Sequence, residues 1–189
     1  EYRKLTEGAI ERHGEDLQTA IKEAPTHVFS LLTRLRQTCC DLGLLPWREN
    51  LPTTGSKGDV LIEKLGDLSS SKAKVIVFSQ FTSFLAILKK NIRLSHPDLQ
   101  ILELTGSTRD RSTPVETFES SQGPTVMLAS LKAAGLGVTL KSADYVFLMD
   151  PWWNPAVEEQ AIDRAHRLGR EKPTFIYRLV AQGTIEERV

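Results

Sequence analysis

The hydrophobic pattern of the chain changes at about Lys74. Before that residue, apolar side chains recur at spacings of three and four, which is typical of amphipathic helices. A segment of such spacing starts at Pro25, and its apolar members are Val28, Leu31, Leu32, Leu35, Cys39 and Leu42. Residues 1 to about 24 are also helix-prone, but they are mostly polar. The first third of the chain is therefore predicted to be a helical lead-in.

A break and a further helix follow this lead-in. Gly43, Pro46 and the LPTTGS stretch (51–56) indicate a linker. Ser56 and Asp59 have the spacing of a capping box, and a helical stripe of Leu61, Leu65 and Leu68 comes next. We divide the chain into a lead-in and linker, residues 1–56, and a domain, residues 57–189.

After Lys74, short β-branched runs alternate with helical segments. The predicted strands are VIVF (75–78), QILEL (100–104), TVMLAS (125–130), YVFLMD (145–150) and FIYRLV (175–180). Four helices are predicted between and after these strands. The first passes through Phe84, Leu85 and Leu88, and the second begins near Pro114 with Thr113 and Glu116 as a capping box. The third begins at Asn154-Pro155 and the fourth near Thr184. This alternation predicts an α/β fold with a largely parallel sheet flanked by helices. In such sheets the binding edge lies at the carboxyl ends of the strands.

Composition excludes several classes of function. The 189 residues are 40% hydrophobic and 25% charged, with a formal net charge of zero, so charge alone would not hold the chain on DNA. Cys39 and Cys40 are adjacent and the four histidines are scattered, so we expect no disulfide and no metal site. A reducing intracellular compartment is the expected setting. Because the chain begins at Glu1, we expect it to be a piece of a longer protein.

Two predicted loops at the carboxyl edge could carry chemistry. LTGSTRDR offers the amides and hydroxyls of Gly106, Ser107 and Thr108 beside the charges of Arg109 and Arg111, which suits a phosphate contact or, alternatively, a polar surface turn. SLKAAGLGVTLKSA combines Ser130 and Lys132 with Gly135 and Gly137, which either admit a ligand or allow tight packing. Leu140 stands where a dinucleotide fingerprint needs a small residue. None of the 12 glycines precedes a lysine, so the chain has no P-loop.

The helix that begins at Asn154-Pro155 carries the most specific pattern. Gln160, Arg164 and Arg167 share one face, and two arginines one turn apart repel unless an anion lies between them. Ion pairs of Arg167 with Glu159 and Asp163 on a solvated face are the alternative explanation.

These segments resemble the second RecA-like lobe of Swi/Snf-type DNA translocases of helicase superfamily two. The resemblance rests on KVIVFSQF, LTGSTRDR, VMLASLKAAGLGVTL, DPWWNPAVEEQAIDRAHRLGR and RLVAQGTIEERV, with LLTRLRQTCC and SKGDVLIEKLGDL in the lead-in. It implies ATP with Mg²⁺, held mainly by an N-terminal lobe, and a double-stranded DNA backbone as partners of a monomeric protein. Arg164 and Arg167 would be arginine fingers beside Gln160, with Gly135, Gly137 and Asp163 near the nucleotide. The residues expected to face DNA are Ser79, Gln80, Gly106, Ser107, Thr108, Arg109, Arg111, Ser130, Lys132 and Trp153.

Two other functions stay open at this point. A degenerate lobe could act as a scaffold that binds DNA or protein without catalysis, which would suit the neutral charge. A flavodoxin-like or Rossmann-like metabolite enzyme is disfavoured because no phosphate fingerprint is present. We expect the protein in the nucleoid of a prokaryote or the nucleus of a eukaryote.

Overall fold

The computed structural model describes residues 1–13, 25–48, 55–134, 140–165 and 173–188. The lead-in contains helices α1 (Tyr2–His13) and α2 (Pro25–Cys40), with 3₁₀ turns at Leu42–Leu44 and Pro46–Arg48, and helix α3 (Ser56–Ser69) begins the domain. The predicted linker falls partly on residues 49–54, which lie outside the described part of the chain.

From Lys74 onward the predicted alternation is confirmed. The elements are β1 (Lys74–Ser79), α4 (Thr82–Ser95), β2 (Gln100–Leu104), α5 (Ser112–Ser120), β3 (Thr125–Ser130), α6 (Leu131–Ala134), β4 (Tyr145–Leu148), α7 (Pro155–Ala165), β5 (Phe175–Arg178) and a 3₁₀ turn at Ile185–Arg188. The five strands form one sheet in the order β2-β3-β1-β4-β5, and each of their pairings is parallel. Because each parallel connection must return to the same edge, helices cover both faces of the sheet.

Alternate side chains of the central strands build two separate cores. Ile76 and Phe78 point to the face covered by α5, α6 and α7, where Phe118 is fully buried. Val75 and Val77 point to the opposite face, where α3 and α4 contribute Leu61, Leu65, Phe84, Leu85, Leu88 and Ile92. Burial on both faces explains why these strands are nearly continuous runs of apolar residues.

Two predicted helix caps are wrong, and each has a local reason. The N-cap of α3 is Gly55, and Ser56 lies inside the helix. A Cβ on Gly55 would lie 2.7 Å from the carbonyl oxygen of Cys40, so the close approach of α2 requires glycine there. At α5, Asp110 rather than Thr113 accepts the first amides, those of Ser112 at 2.9 Å and Thr113 at 3.4 Å.

Three predicted boundaries also shift. Helix α2 ends at Cys40, and Leu42 is exposed in the 3₁₀ turn that follows, so Leu42 does not belong to the apolar stripe. Strand β4 ends at Leu148 and β5 at Arg178, two residues earlier than the apolar runs indicate. The neighbouring strand sets this limit, since β1 ends at Ser79 and the amide of Met149 makes the last ladder bond, to the carbonyl of Phe78.

Candidate functional site

The carboxyl ends of the parallel strands bring four predicted loops to one edge of the sheet. Ser79 and Ser130 lie opposite each other as the last residue pair of β1 and β3, and Leu104 ends β2 one position earlier, opposite Ala129. The segments that leave these strands therefore lie along the same edge as the segment that leaves β4. This edge is the candidate site.

The β2–α5 loop (Thr105–Arg111) is organised by contacts within itself. The amide of Thr105 donates to Oγ1 of Thr108 at 2.9 Å, and the hydroxyls of Thr105 and Ser107 lie 2.8 Å apart. Gly106 and Ser107 are exposed, and a Cβ on Gly106 would meet no atom within 4 Å. The tip of the loop thus presents backbone and hydroxyl groups to solvent with nothing packed against them.

Two arginines flank the end of this loop. Arg109 is exposed, and Arg111 is half-buried as the N-cap residue of α5. Between them, Asp110 also accepts hydroxyl bonds from Ser112 at 3.0 Å and Thr113 at 2.5 Å. Those bonds, with the Thr113 hydroxyl first, hold the pKa of Asp110 below its usual range. The helix N-terminus is therefore filled by a side chain of the protein, and the arginines supply the exposed positive charge.

After β3, the predicted site residues are divided between interior and surface. Ser130 is buried, and its hydroxyl accepts from the amide of Ala133 at 3.3 Å at the start of α6. Lys132 is exposed on α6. Gly135 and Gly137 lie outside the described residues.

The residues that follow β1 hold the interior of the edge together. Ser79 is fully buried; its hydroxyl donates to Asp150 Oδ1 at 2.5 Å and accepts from the amide of Phe81 at 3.0 Å. Gln80 is half-buried and donates to Asp150 Oδ2 through both its side chain at 2.5 Å and its backbone at 3.3 Å. With its hydroxyl engaged on both sides, Ser79 supports the loop from beneath and presents no exposed surface.

Asp150 is the centre of this interior network, and the sequence reasoning assigned it no role. Burial raises the pKa of this carboxyl, while the hydrogen bonds from Ser79 and Gln80 and the charge of Arg36 oppose the rise. Arg36 Nη2 lies 3.9 Å from Asp150 Oδ2 and donates to the carbonyl of Pro151 at 2.5 Å. Burial lowers the pKa of the Arg36 guanidinium, and Asp150 opposes that shift. The buried carboxylate of Asp150 is thus paired with the buried guanidinium of Arg36 from the lead-in.

A second buried cation, Lys57, was missed in the same way. Its Nζ lies 2.6 Å from Glu186 Oε2 and 2.8 Å from the carbonyl of Met149. The sequence did contain an indication: Arg36 lies four residues after Leu32 and four before Cys40, and Lys57 lies four before Leu61. A charge on the apolar stripe of a helix is buried unless the helix is displaced, and a buried charge needs a partner.

Helix α7 begins as the sequence predicts. Asn154 Oδ1 accepts from the amide of Ala156 at 3.1 Å, which confirms the side-chain cap. Glu158 and Ala161 are buried, whereas Gln160 and Asp163 are exposed, so the helix presents Gln160 away from the sheet. Arg164 follows one turn later on α7, with its side chain outside the described part, and Arg167 lies outside the described residues.

Trp153 lies above a small cavity. Its side chain is 52% exposed, although one ring face lies 5.5 Å from the Arg36 guanidinium. Phe29, Leu32, Thr33, Arg36 and Trp153 line a cavity of about 280 Å³ between α2 and the loop. By contrast, Trp152 is half-buried and packs against the hydrophobic core on the face of the sheet that α7 covers. The exposed position of Trp153 makes it available for a contact from outside.

In residues 1–13, 25–48, 55–134, 140–165 and 173–188, no group of three or more His, Cys, Asp or Glu could hold a metal ion. Within the same ranges, no helix combines the length and the apolar character that crossing a membrane requires.

Comparison with known proteins decides the family. The model of the helicase conserved C-terminal domain matches residues 56–169, which include the four loops of the carboxyl edge. The chain belongs to this family. A helicase C-terminal domain of this kind has the RecA-like arrangement described above, with its parallel sheet and flanking helices.

Relatives of this helicase C-terminal domain include ATP-dependent helicases and DNA repair proteins. It is 35% identical over 197 residues to an uncharacterized ATP-dependent helicase, MG018, of Mycoplasma genitalium, covering 100% of this chain and 18% of that protein. It is 43% identical over 141 residues to DNA repair protein RAD5 of Cryptococcus neoformans var. neoformans, covering 72% of this chain and 12% of that protein. The chain therefore spans less than a fifth of the length of these relatives.

Solved structures identify this helicase C-terminal domain as the second RecA-like lobe of a Swi/Snf-type protein. The SWI2/SNF2 ATPase core of Sulfolobus solfataricus in complex with double-stranded DNA superimposes with a TM-score of 0.77 at 25% identity, covering 99% of this chain and 39% of that one. The C-terminal part of the Fun30 ATPase domain gives a TM-score of 0.66 at 28% identity, covering 99% and 62%.

Proposed function

We propose that this lobe is the C-terminal half of an ATP-dependent motor that translocates along or remodels complexes on double-stranded DNA. The observation that carries the proposal is the gathering, at one edge of the sheet, of exposed cationic loops and of the Asn154-capped helix with Gln160 on its outer side. The solved relative in complex with double-stranded DNA supports the same assignment.

In this proposal, helix α7 serves the nucleotide. ATP with Mg²⁺ supplies the phosphoryl group and is held mainly by an N-terminal lobe of the parent. Gln160 is exposed on a helix that is fixed to the lobe by buried Glu158 and Ala161, which fits a ligand brought from outside the lobe. Arg164 and Arg167 act as arginine fingers, and Asp163, Gly135 and Gly137 lie near the nucleotide. A finger of this kind contributes on the order of 10³–10⁵ in rate.

The remaining loops serve the DNA backbone. Gly106, Ser107 and Thr108 offer amides and hydroxyls, and Arg109, Arg111 and Lys132 offer charge, which is the chemistry of phosphate contacts. Trp153 adds an exposed aromatic face. Ser79, Gln80 and Ser130 support these loops through hydrogen bonds from within the lobe. Since the net charge is zero, we expect the lobe alone to bind duplex DNA weakly. We also expect it to hydrolyse no ATP, because it has no P-loop and half of the nucleotide site is missing.

The test is DNA-stimulated ATP hydrolysis by the full-length parent. Arg164→Ala or Arg167→Ala should lower kcat by about a thousandfold or more and leave the fold intact. Arg93→Ala, which removes an exposed arginine from α4, is the matched control and should behave as the wild type. Normal turnover in both finger variants would defeat the nucleotide assignment. A wild-type parent without DNA-stimulated hydrolysis would instead favour the non-catalytic scaffold.

A further inference from the structure

Two cations, one in the lead-in and one in the first helix of the domain, are buried at a place where the proposed motor function does not use them. Arg36 on α2 is 5% exposed and Lys57 on α3 is 4% exposed. Burial of a charge is costly unless partners and hydrogen bonds replace the lost water. Both side chains find those partners in the β4–α7 loop (Met149–Asn154) or next to it.

Lys57 joins three separate segments. Its Nζ is bonded to both carboxylate oxygens of Glu186, at 2.6 and 2.8 Å, and to the carbonyl of Met149 at 2.8 Å. Glu186 Oε2 also accepts from the amide of Ala181 at 2.8 Å. The first turn of α3, the end of β4 and the segment after β5 therefore meet at one ammonium group.

Arg36 binds the same loop on the C-terminal side of Asp150. It donates to the carbonyl of Pro151, and its guanidinium lies 5.9 Å from the ring centre of Phe81 and 5.5 Å from that of Trp153. Met149 and Pro151 are the residues on either side of Asp150, so the two cations bond to two peptide groups that are separated only by the Asp150–Pro151 peptide.

The geometry points to a cation clamp: Arg36 and Lys57 fix the carbonyls of Pro151 and Met149, the two neighbours of Asp150, and thereby position Trp153 and helix α7. Both are positioning residues, and the inference rests on the proposed function of α7. It goes beyond that function by assigning a task to α2 and α3, which orient α7 from the opposite side of the sheet.

The loop transmits this position to α7 through short links. Its last ladder bond is Met149 N to Phe78 O at 3.0 Å, so the residues that follow lack a neighbouring strand to hold them. Trp152 N donates to Glu158 Oε1 at 3.3 Å, and Asn154 caps the helix. A shift of the loop therefore moves the first turn of α7 and, with it, the direction of Gln160.

The test is amide hydrogen exchange, measured by NMR on this chain for the amides of residues 152–156, of which Pro155 has none, and, as an internal reference, for β1. Arg36→Met removes one arm of the clamp. Lys57→Met combined with Glu186→Gln removes the other arm without leaving a buried carboxylate unpaired. We expect each variant to accelerate exchange at residues 152–156 by at least about tenfold relative to β1, since each loses a charge-assisted bond to a carbonyl.

Two controls separate a local clamp from general destabilisation. Glu186→Gln alone keeps Lys57 and its bond to Met149 but removes its buried counter-charge, so it should destabilise the fold and raise exchange in the loop and in β1 alike. Leu65→Ala removes a buried apolar side chain of α3 and no polar bond to the loop, so it should accelerate exchange in β1 and the loop equally. Equal acceleration of loop and β1 in the clamp variants, or none in either, would overturn the proposal.

The effect of the clamp on function is measured in the full-length parent. The clamp variants should lower kcat of DNA-stimulated ATP hydrolysis by roughly tenfold while the KM for ATP stays unchanged, and the two control variants should leave kcat unaffected. If exchange in the loop rises but kcat does not fall, the clamp is structural only and its positioning role is wrong. A parent without any ATPase would contradict the motor function, whereas the exchange measurement would still decide whether the clamp exists.

Discussion

The β2–α5 loop and the β4–α7 loop leave the same edge of the sheet and enter helices, yet they are held in opposite ways. The first is fixed by its own neighbours: Thr105, Ser107 and Thr108 bond to one another, and Asp110 caps the helix two residues later. The second is fixed by side chains that lie 115, 92 and 71 residues away in sequence, namely Arg36, Lys57 and Ser79.

The difference teaches how one edge can be both exposed and rigid. A loop held by local contacts can present its backbone to solvent, because nothing has to cover it. A loop held by distant side chains is enclosed by the elements that supply them, so its central carboxylate is buried. We expect the first loop to tolerate change at its tip and the second to resist change at its centre.

Removal of the central carboxylate should produce the largest effect. Asp150→Ala leaves the buried Arg36, the buried Ser79 hydroxyl and the half-buried Gln80 amide without their shared acceptor, so the free energy of unfolding should fall by about 3–5 kcal/mol. Urea denaturation measures it. A loss below about 1 kcal/mol would mean that the loop does not depend on this network.

Removal of the Asp110 cap should lower the free energy of unfolding by less than the loss of Asp150 does. The contributions of the two carboxylates should also depend on pH in opposite directions. Hydrogen bonds lower the folded-state pKa of Asp110, so its contribution is present at neutral pH and is lost as pH falls through that pKa. Burial raises the pKa of Asp150, so acidification through its pKa favours the folded state instead. The stability difference between wild type and Asp110→Ala should therefore shrink between about pH 7 and about pH 3.

The matched variant is Asp110→Asn. An asparagine oxygen can accept the same amide bonds without titrating, so this variant should stay close to the wild type near neutral pH. Urea denaturation at each pH gives both comparisons. A constant loss in Asp110→Ala across the whole range would contradict the assignment of Asp110 as an ionised cap.

The smallest effect on stability is expected at Gly106. A Cβ there would meet no atom within 4 Å, so Gly106→Ala should change the free energy of unfolding by less than about 0.5 kcal/mol. If the loop tip contacts the DNA backbone closely, the affinity of the parent for duplex DNA should nevertheless fall severalfold. Gly123→Ala is the control, because Gly123 is equally open but precedes β3 at the opposite edge. Equal affinities of both variants would argue against DNA contact at Gly106.

The sequence predicted those features that depend on neighbours along the chain. Alternation of apolar runs gave all five strands and their parallel arrangement, and Asn154-Pro155 gave the start of α7. Even locally it failed where two candidates compete, since Asp110 displaced Thr113 as the cap of α5. Its larger omission was the clamp: the partners of Arg36 and Lys57 become neighbours only after the chain has folded, and spacing alone does not encode that.

The central claim is that α7 directs an arginine pair at ATP supplied by another lobe. Its most direct test is a structure of the full-length parent with duplex DNA and a non-hydrolysable ATP analogue. We predict that guanidinium nitrogens of Arg164 and Arg167 lie within about 2.7–3.2 Å of the terminal phosphate oxygens in the closed state. Both guanidinium groups in bulk solvent, with the nucleotide bound and the lobes closed, would contradict the account.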